Sequence, residues 1–203
     1  MRRPARPPLP AIEEEDQHVL LHDVSWEQYV ALAESRGESA SPRLTYLEGE
    51  LEIMSPSNRH ERAKTLIARL VEAFDEERQV GLVGLGSTTF RRQAKERGLE
   101  PDECYCLGAS KESPDLAIEV ALRPSLLDKL DVYRGLGVPE VWLWARGAFY
   151  VYVLDSATGE YTEAGRSRLL PDLDLARVAE LINRAEGRLD REIVGDFRRD
   201  LRR

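Results

Sequence analysis

The chain has 203 residues, 42% of them hydrophobic and 33% charged, which fits one packed domain with a well-solvated surface. A formal net charge of −8 argues against a protein whose whole surface grips nucleic acid, though not against a local basic groove, and it suits a site that gathers carboxylates around a divalent cation. With no apolar run of about 18 residues no membrane span is expected, and the two cysteines, Cys104 and Cys106, cannot make a four-cysteine zinc site and read as reduced thiols of a cytoplasmic protein.

Residues 1–17 begin MRRPARPPLP and turn acidic at Glu13-Glu14-Glu15-Asp16, which predicts a flexible N-terminal tail with little core to contribute. The basic start has no apolar stretch behind it and does not read as a secretory signal. Residues 18–187 carry the periodic patterns of one domain. Trp26, Tyr29 and Val30 lie at helical spacing after Ser25, a capping residue. Leu44 to Met54 reads as a hairpin turning at Glu48-Gly49, with Leu51 and Ile53 on one face and Glu50 and Glu52 on the other. Ser57 caps a helix over 58–78, with Ile67, Leu70, Val71 and Phe74 on one stripe.

Gly81 to Gly86 reads as a connector and lacks the Lys-Ser/Thr of a phosphate-binding loop. Strands are expected at 87–92 and 102–107, with a polar loop over 93–99. Asp115 to Val120 is the central strand, and a helix from Pro124-Ser125 to Leu136 ends at Gly135 and Gly137. PEVWLW at 139–144 is apolar almost throughout, as expected of a strand covered on both faces, with Trp142 and Trp144 read as core. A hairpin over 149–163 and a core helix over 175–185 follow, and 188–203 reads as a charged C-terminal helical extension whose arginines are a solvated tail or phosphate contacts. The order predicts an α/β fold with a mixed sheet flanked by helices.

The chemistry concentrates between Glu100 and Tyr133. Pro101-Asp102 and Pro114-Asp115 precede two strands, and strand alternation puts Leu116, Ile118 and Val120 on one face and Asp115, Ala117 and Glu119 on the other. A carboxylate in the middle of an apolar strand is costly to bury unless it has a partner, and a metal ion is one. Asp102 and Glu119, with the carbonyl of Val120, are the hard oxygen donors that Mg²⁺ or Mn²⁺ takes, and Asp115 reads as a strand cap or a further ligand. Lys129, on the next helix, could reach back to stabilise charge on a phosphate, with Tyr133 packed beside its stem. Such a set serves phosphodiester cleavage.

The series Pro101-Asp102, Asp115 to Val120, Asp128 to Tyr133 and Gly137 to Leu143 resembles the Uma-type putative restriction endonuclease family of the PD-(D/E)XK nuclease superfamily. Leu47 to Pro56 followed by His60 is similar to that family's first hairpin and helix, so the likeness runs from about Val24 to Ile182. It implies a restriction-endonuclease-like core, a Mg²⁺- or Mn²⁺-dependent site acting on DNA with Asp102 and Glu119 as ligands, and Glu50 and His60 as auxiliary groups. Two departures stand out. Ala121 holds the place where the superfamily has lysine, which makes Lys129 a lysine moved to the helix. Ala145 stands where the family often has Asp. An inactive binding module of the same fold, and a phosphodiesterase for RNA or nucleotides, are the alternatives. A homodimer is expected, because cutting both strands of a duplex is simplest with two sites around a two-fold axis.

Overall fold

The computed structural model describes residues 15–37, 39 and 41–203. Most of the expected tail, residues 1–14, lies outside the described residues. Its last part does not behave as a tail: Asp16 is buried, and β1 (Gln17–Leu21) pairs antiparallel with the first hairpin.

That hairpin is β2 (Arg43–Leu47) and β3 (Glu50–Ser55). Its two-residue loop, Glu48-Gly49, has positive φ at both positions (48° and 98°), the twist that a tight antiparallel hairpin requires. Before it, α1 (Trp26–Ser35) is closed by a reciprocal box: the Gln28 N–H donates to Ser25 Oγ and the Ser25 N–H to the Gln28 side chain. After it, α2 (Asn58–Arg78) starts at the residue the Ser57 cap predicts.

The smaller sheet has the order β1-β3-β2-β6-β5, with β5 (Phe90–Arg92) and β6 (Arg97–Leu99) supplied by a second hairpin. Part of the expected polar loop over 93–99 is therefore strand. Its signal was hidden by Gly98, which is needed because a Cβ there would lie 2.3 Å from the Tyr29 hydroxyl. Tyr29 stacks on Tyr46 (centroids 4.9 Å apart) and joins Leu44 and Leu51 in a small core under α1.

The larger sheet has the order β11-β10-β9-β8-β7-β4. It comprises β4 (Leu82–Gly84), β7 (Glu103–Leu107), β8 (Leu116–Ala121), β9 (Glu140–Ala145), β10 (Ala148–Leu154) and β11 (Tyr161–Ala164). The expected glycine connector contains β4, whose backbone is claimed by the edge of β7. Among the strands of the described residues only β8 and β9 run parallel, joined over α3 (Lys129–Leu136), the crossover that parallel strands need.

The alternation of β8 sorts as its sequence predicts. Leu116, Ile118 and Val120 join Trp142, Trp144 and the apolar stripe of α2 in the main core. Ala117 lies on the other face with Val141 and with Val132, Tyr133 and Leu136 of α3. Phe90 and Leu99 of the smaller sheet close that second cluster, so α3 is packed between the two sheets. The main core is completed by α4 (Leu175–Asn183) and by α5 (Asp190–Leu201), whose Ile193 and Phe197 are fully buried. Two arginines at the C-terminal end turn to protein carboxylates, Arg198 of α5 to Glu76 and Glu77, and Arg202, just past the helix, to Glu77.

One helix differs from its expected span. α3 begins at Lys129, with Asp128 as cap taking the Asp131 N–H. Ser125 starts no helix: its hydroxyl donates to Glu52 of β3 while its oxygen accepts the Leu127 N–H in a short turn.

Candidate active site

The register of β7 and β8 pairs Glu103 with Ile118, so the residue before β7, Asp102, falls opposite Glu119. Directly opposed residues of an antiparallel pair share a face, and the two carboxylates therefore meet at the end of the sheet beside α3. Both are almost wholly buried. A buried carboxylate without partners costs several kcal/mol, and each has a distinct set.

Asp102 Oδ2 accepts the Val120 N–H at 2.7 Å, and Oδ1 lies 2.9 Å from Nε2 of His60. The Arg43 Nε sits 3.2 Å from the same oxygen as an ion pair without hydrogen-bond alignment, while its Nη1 donates to the Pro101 carbonyl. The other ring nitrogen of His60, Nδ1, lies 2.9 Å from Asp16. Burial works against the His60 charge, but bonds to Asp102 and Asp16 outweigh it and raise its pKa to about 9. His60 is thus an imidazolium clamped between two acids. Burial likewise opposes the Asp102 charge, and His60 and Arg43 overcome it, holding its carboxyl well below the usual range.

Glu119 is held from the other side. Lys129 Nζ donates to Oε2 at 2.7 Å and the Tyr133 hydroxyl to Oε1. Lys129 is the first residue of α3 and Tyr133 lies one turn on, so one helix face carries both donors. Burial and the Asp102 charge push the Glu119 pKa up, while Lys129 and Tyr133 pull it down without cancelling that. Burial lowers the Lys129 pKa, and Glu119 and Asp102 more than restore it, so the ammonium stays charged. Two neighbouring carboxylates are driven apart in proton affinity, with Asp102 the stronger acid.

Glu119, Val120, Lys129 and Tyr133 line a cavity of about 250 Å³ together with Asp16, His18, Arg123, Ser125 and Asp128. The structure thus brings together Asp102, Glu119, Val120, Lys129 and His60. It leaves Glu50 at the hairpin end, paired with His22 at the surface, and gives Asp115 to Lys111 and to the Leu107 N–H. The acid that reaches the cluster from β3 is Glu52, buried under Ser125 and the Leu126 N–H. Sequence reasoning missed Asp16, His18, Arg43 and Glu52. Only Glu52 carried a signal, an acid two residues from Glu50 on the same strand face.

Residues 26–184 match the Uma2 family, described as putative restriction endonuclease. The chain belongs to this family. Its fold is similar to the crystal structure of a putative nuclease belonging to DUF820 from Anabaena variabilis ATCC 29413, with a TM-score of 0.50 and 15% identity over 86% of this chain and 97% of that one. At that identity the likeness bears on the fold alone. No curated protein matches the chain.

The donors fit the divalent ion that a Uma2-type site implies. Asp102 and Glu119 are hard oxygen ligands, and with two or three protein donors each they retain lone pairs. The Val120 N–H faces Asp102, and the carbonyl of a strand residue points to the same edge as its N–H, which offers a third oxygen. Among the described residues no three His, Cys, Asp or Glu side chains form a ready ligand cage. Among the described residues no helix is long and apolar enough to cross a membrane.

Proposed function

We propose that this Uma2-family chain is an endonuclease that hydrolyses DNA phosphodiester bonds with Mg²⁺ or Mn²⁺. The observation that carries the reading is the convergence of Asp102 and Glu119 across β7 and β8, with the Lys129 ammonium on Glu119 at a cavity wall. Asp102, Glu119 and the Val120 carbonyl would hold the ion. When bound, it supplies an acidified water and a polarised phosphate oxygen. The protein's own groups do the rest. His60 and Arg43 keep Asp102 ionised and fixed. Tyr133 fixes the Glu119 rotamer. Lys129 supplies a compact positive charge to the equatorial phosphate oxygens as negative charge grows there. In the same proposal the protein works in the cytoplasm as a homodimer, two copies cutting the two strands about a two-fold axis.

A second reading, an inactive module of the same fold, draws on the saturation of Glu119, both of whose oxygens already hold protein donors. Supercoiled plasmid incubated with Mg²⁺, with Mn²⁺ and with chelator separates the two. The nuclease nicks or linearises plasmid with metal and stops with chelator, and Asp102→Ala is inert. Intact plasmid in every metal leaves the inactive module standing. Sedimentation velocity with and without a DNA duplex tests the dimer, which a monomer in both conditions would contradict.

A further inference from the structure

The cavity beside Glu119 has a titratable wall that the metal chemistry does not use. His18 of β1 lies there, with Nδ1 2.5 Å from Oε1 of Glu52. Glu52 is buried beneath the Ser125 hydroxyl and the Leu126 N–H. Burial raises its pKa, but Ser125, His18 and the Leu126 N–H prevail and keep it below the usual range. An ionised carboxylate only accepts, so His18 Nδ1 carries the hydrogen, and in the neutral ring Nε2 is a bare lone pair. Nε2 is buried and has no hydrogen-bond partner among the described residues. A buried polar atom left without a protein partner, on a histidine that lines a cavity together with Asp16, Glu119, Asp128 and Lys129, is a place for a water or a substrate oxygen.

The other histidines cannot fill this role. Both nitrogens of His60 are taken by Asp16 and Asp102, and His22 is paired with Glu50 on the surface. The charged groups that share the cavity with His18 are Asp16 beside β1, Glu119 on β8, Arg123 and Asp128 in the loop after it, and Lys129 on α3.

We propose that His18 is the general base of this cavity and Glu52 its positioning residue. The proposal rests on the nuclease reading. In hydrolysis, Nε2 takes a proton from water while the water oxygen forms its bond to phosphorus. The bond from phosphorus to the leaving oxygen breaks, and that oxygen departs with the electron pair and takes a proton from solvent. Glu52 holds the resulting imidazolium, which returns its proton to bulk water.

The test combines kinetics with a readout that needs no activity. Nitrogen-15 correlation spectra of the metal-free protein should show His18 protonated on Nδ1, and protonation on Nε2 in the neutral ring overturns the proposal. With plasmid and Mg²⁺, His18→Ala should lose roughly 10²-fold in turnover and the acidic limb of the pH–rate profile, and added imidazole should restore part of both. Glu52→Gln should lower turnover less and shift that limb. Mn²⁺ affinity should stay within about threefold of wild type in both variants. A tenfold loss of Mn²⁺ affinity in His18→Ala makes His18 a metal ligand and sinks the general-base role. So does a folded His18→Ala variant that cleaves at the wild-type rate. A wild type that cleaves no phosphodiester with either metal removes the nuclease reading and the base with it.

Discussion

Two buried glutamates lie on adjacent strands of the larger sheet, on opposite faces, and they are solved differently. Glu140 of β9 accepts from Trp142 Nε1 at 2.6 Å, Ser167 Oγ at 2.5 Å, and the N–H groups of Arg168 and Leu169 at 2.8 and 3.2 Å. All four donors are neutral and fixed, and together they tie the 167–169 segment to the start of β9. Glu119 of β8 has a lysine ammonium and a hydroxyl, a second carboxylate opposite it, and a cavity alongside. Neutral, rigid saturation makes a carboxylate a structural latch. A carboxylate that shares its site with another acid and with a lysine ammonium is, in the proposed reading, one whose partners give way to an ion and a phosphate.

The largest expected effect falls on the Glu119 side. Glu119→Ala should reduce plasmid cleavage by roughly 10³-fold or more and lose Mn²⁺ binding with it. Cleavage within tenfold of wild type would erase the distinction between the two glutamates. Lys129→Ala comes next, with turnover down by roughly 10²-fold and metal affinity little changed, and Lys129→Arg should recover only part, since its planar guanidinium replaces a point charge.

Glu140→Gln probes the latch. It replaces an acceptor-only carboxylate with an amide whose NH2 faces donors, and should cost about 1–3 kcal/mol of stability in denaturant melts, with cleavage per folded molecule unchanged. A loss of cleavage at full stability would mean that the two glutamates are not separate in function.

The smallest effect is a slope. The His60 pKa is raised from 6.5 to about 9, so its clamp on Asp16 and Asp102 stabilises the fold fully below about pH 6.5 and is lost as pH rises through about 9. The melting temperature in chelator should decline across that window, and His60→Asn should flatten the decline. A wild-type curve as flat as the variant's would show that His60 is not clamped as a cation.

The parts of this arrangement that the sequence exposed are local. Ser57 marks the start of α2 because a cap is a contact three residues long. The alternation in Leu116 to Val120 sets Glu119 on the α3 face, and the Pro-Asp pair marks Asp102. The parts it hid depend on partners far along the chain. Asp16 meets His60 across 44 residues, and Glu52 meets Ser125 across 73. The polar face of the first hairpin carries Glu50 and Glu52, and at Glu50 it meets His22 at the surface. At Glu52 the loop through Ser125 and Leu126 covers it, and nothing within the hairpin foretells that cover. The same contact ties the turn at Ser125 to β3, and α3 starts beyond it at Lys129, capped by Asp128, so the ammonium is presented from the first turn.

The central claim is that Asp102 and Glu119 form a divalent-ion site and Glu140 does not. Calorimetric titration of Mn²⁺ into the full chain tests it most directly. The account predicts one site per chain in the wild type and in Glu140→Gln, weakened at least tenfold in Asp102→Ala and in Glu119→Ala. Mn²⁺ binding that survives unchanged in Asp102→Ala, or that is absent from the wild type, would contradict it.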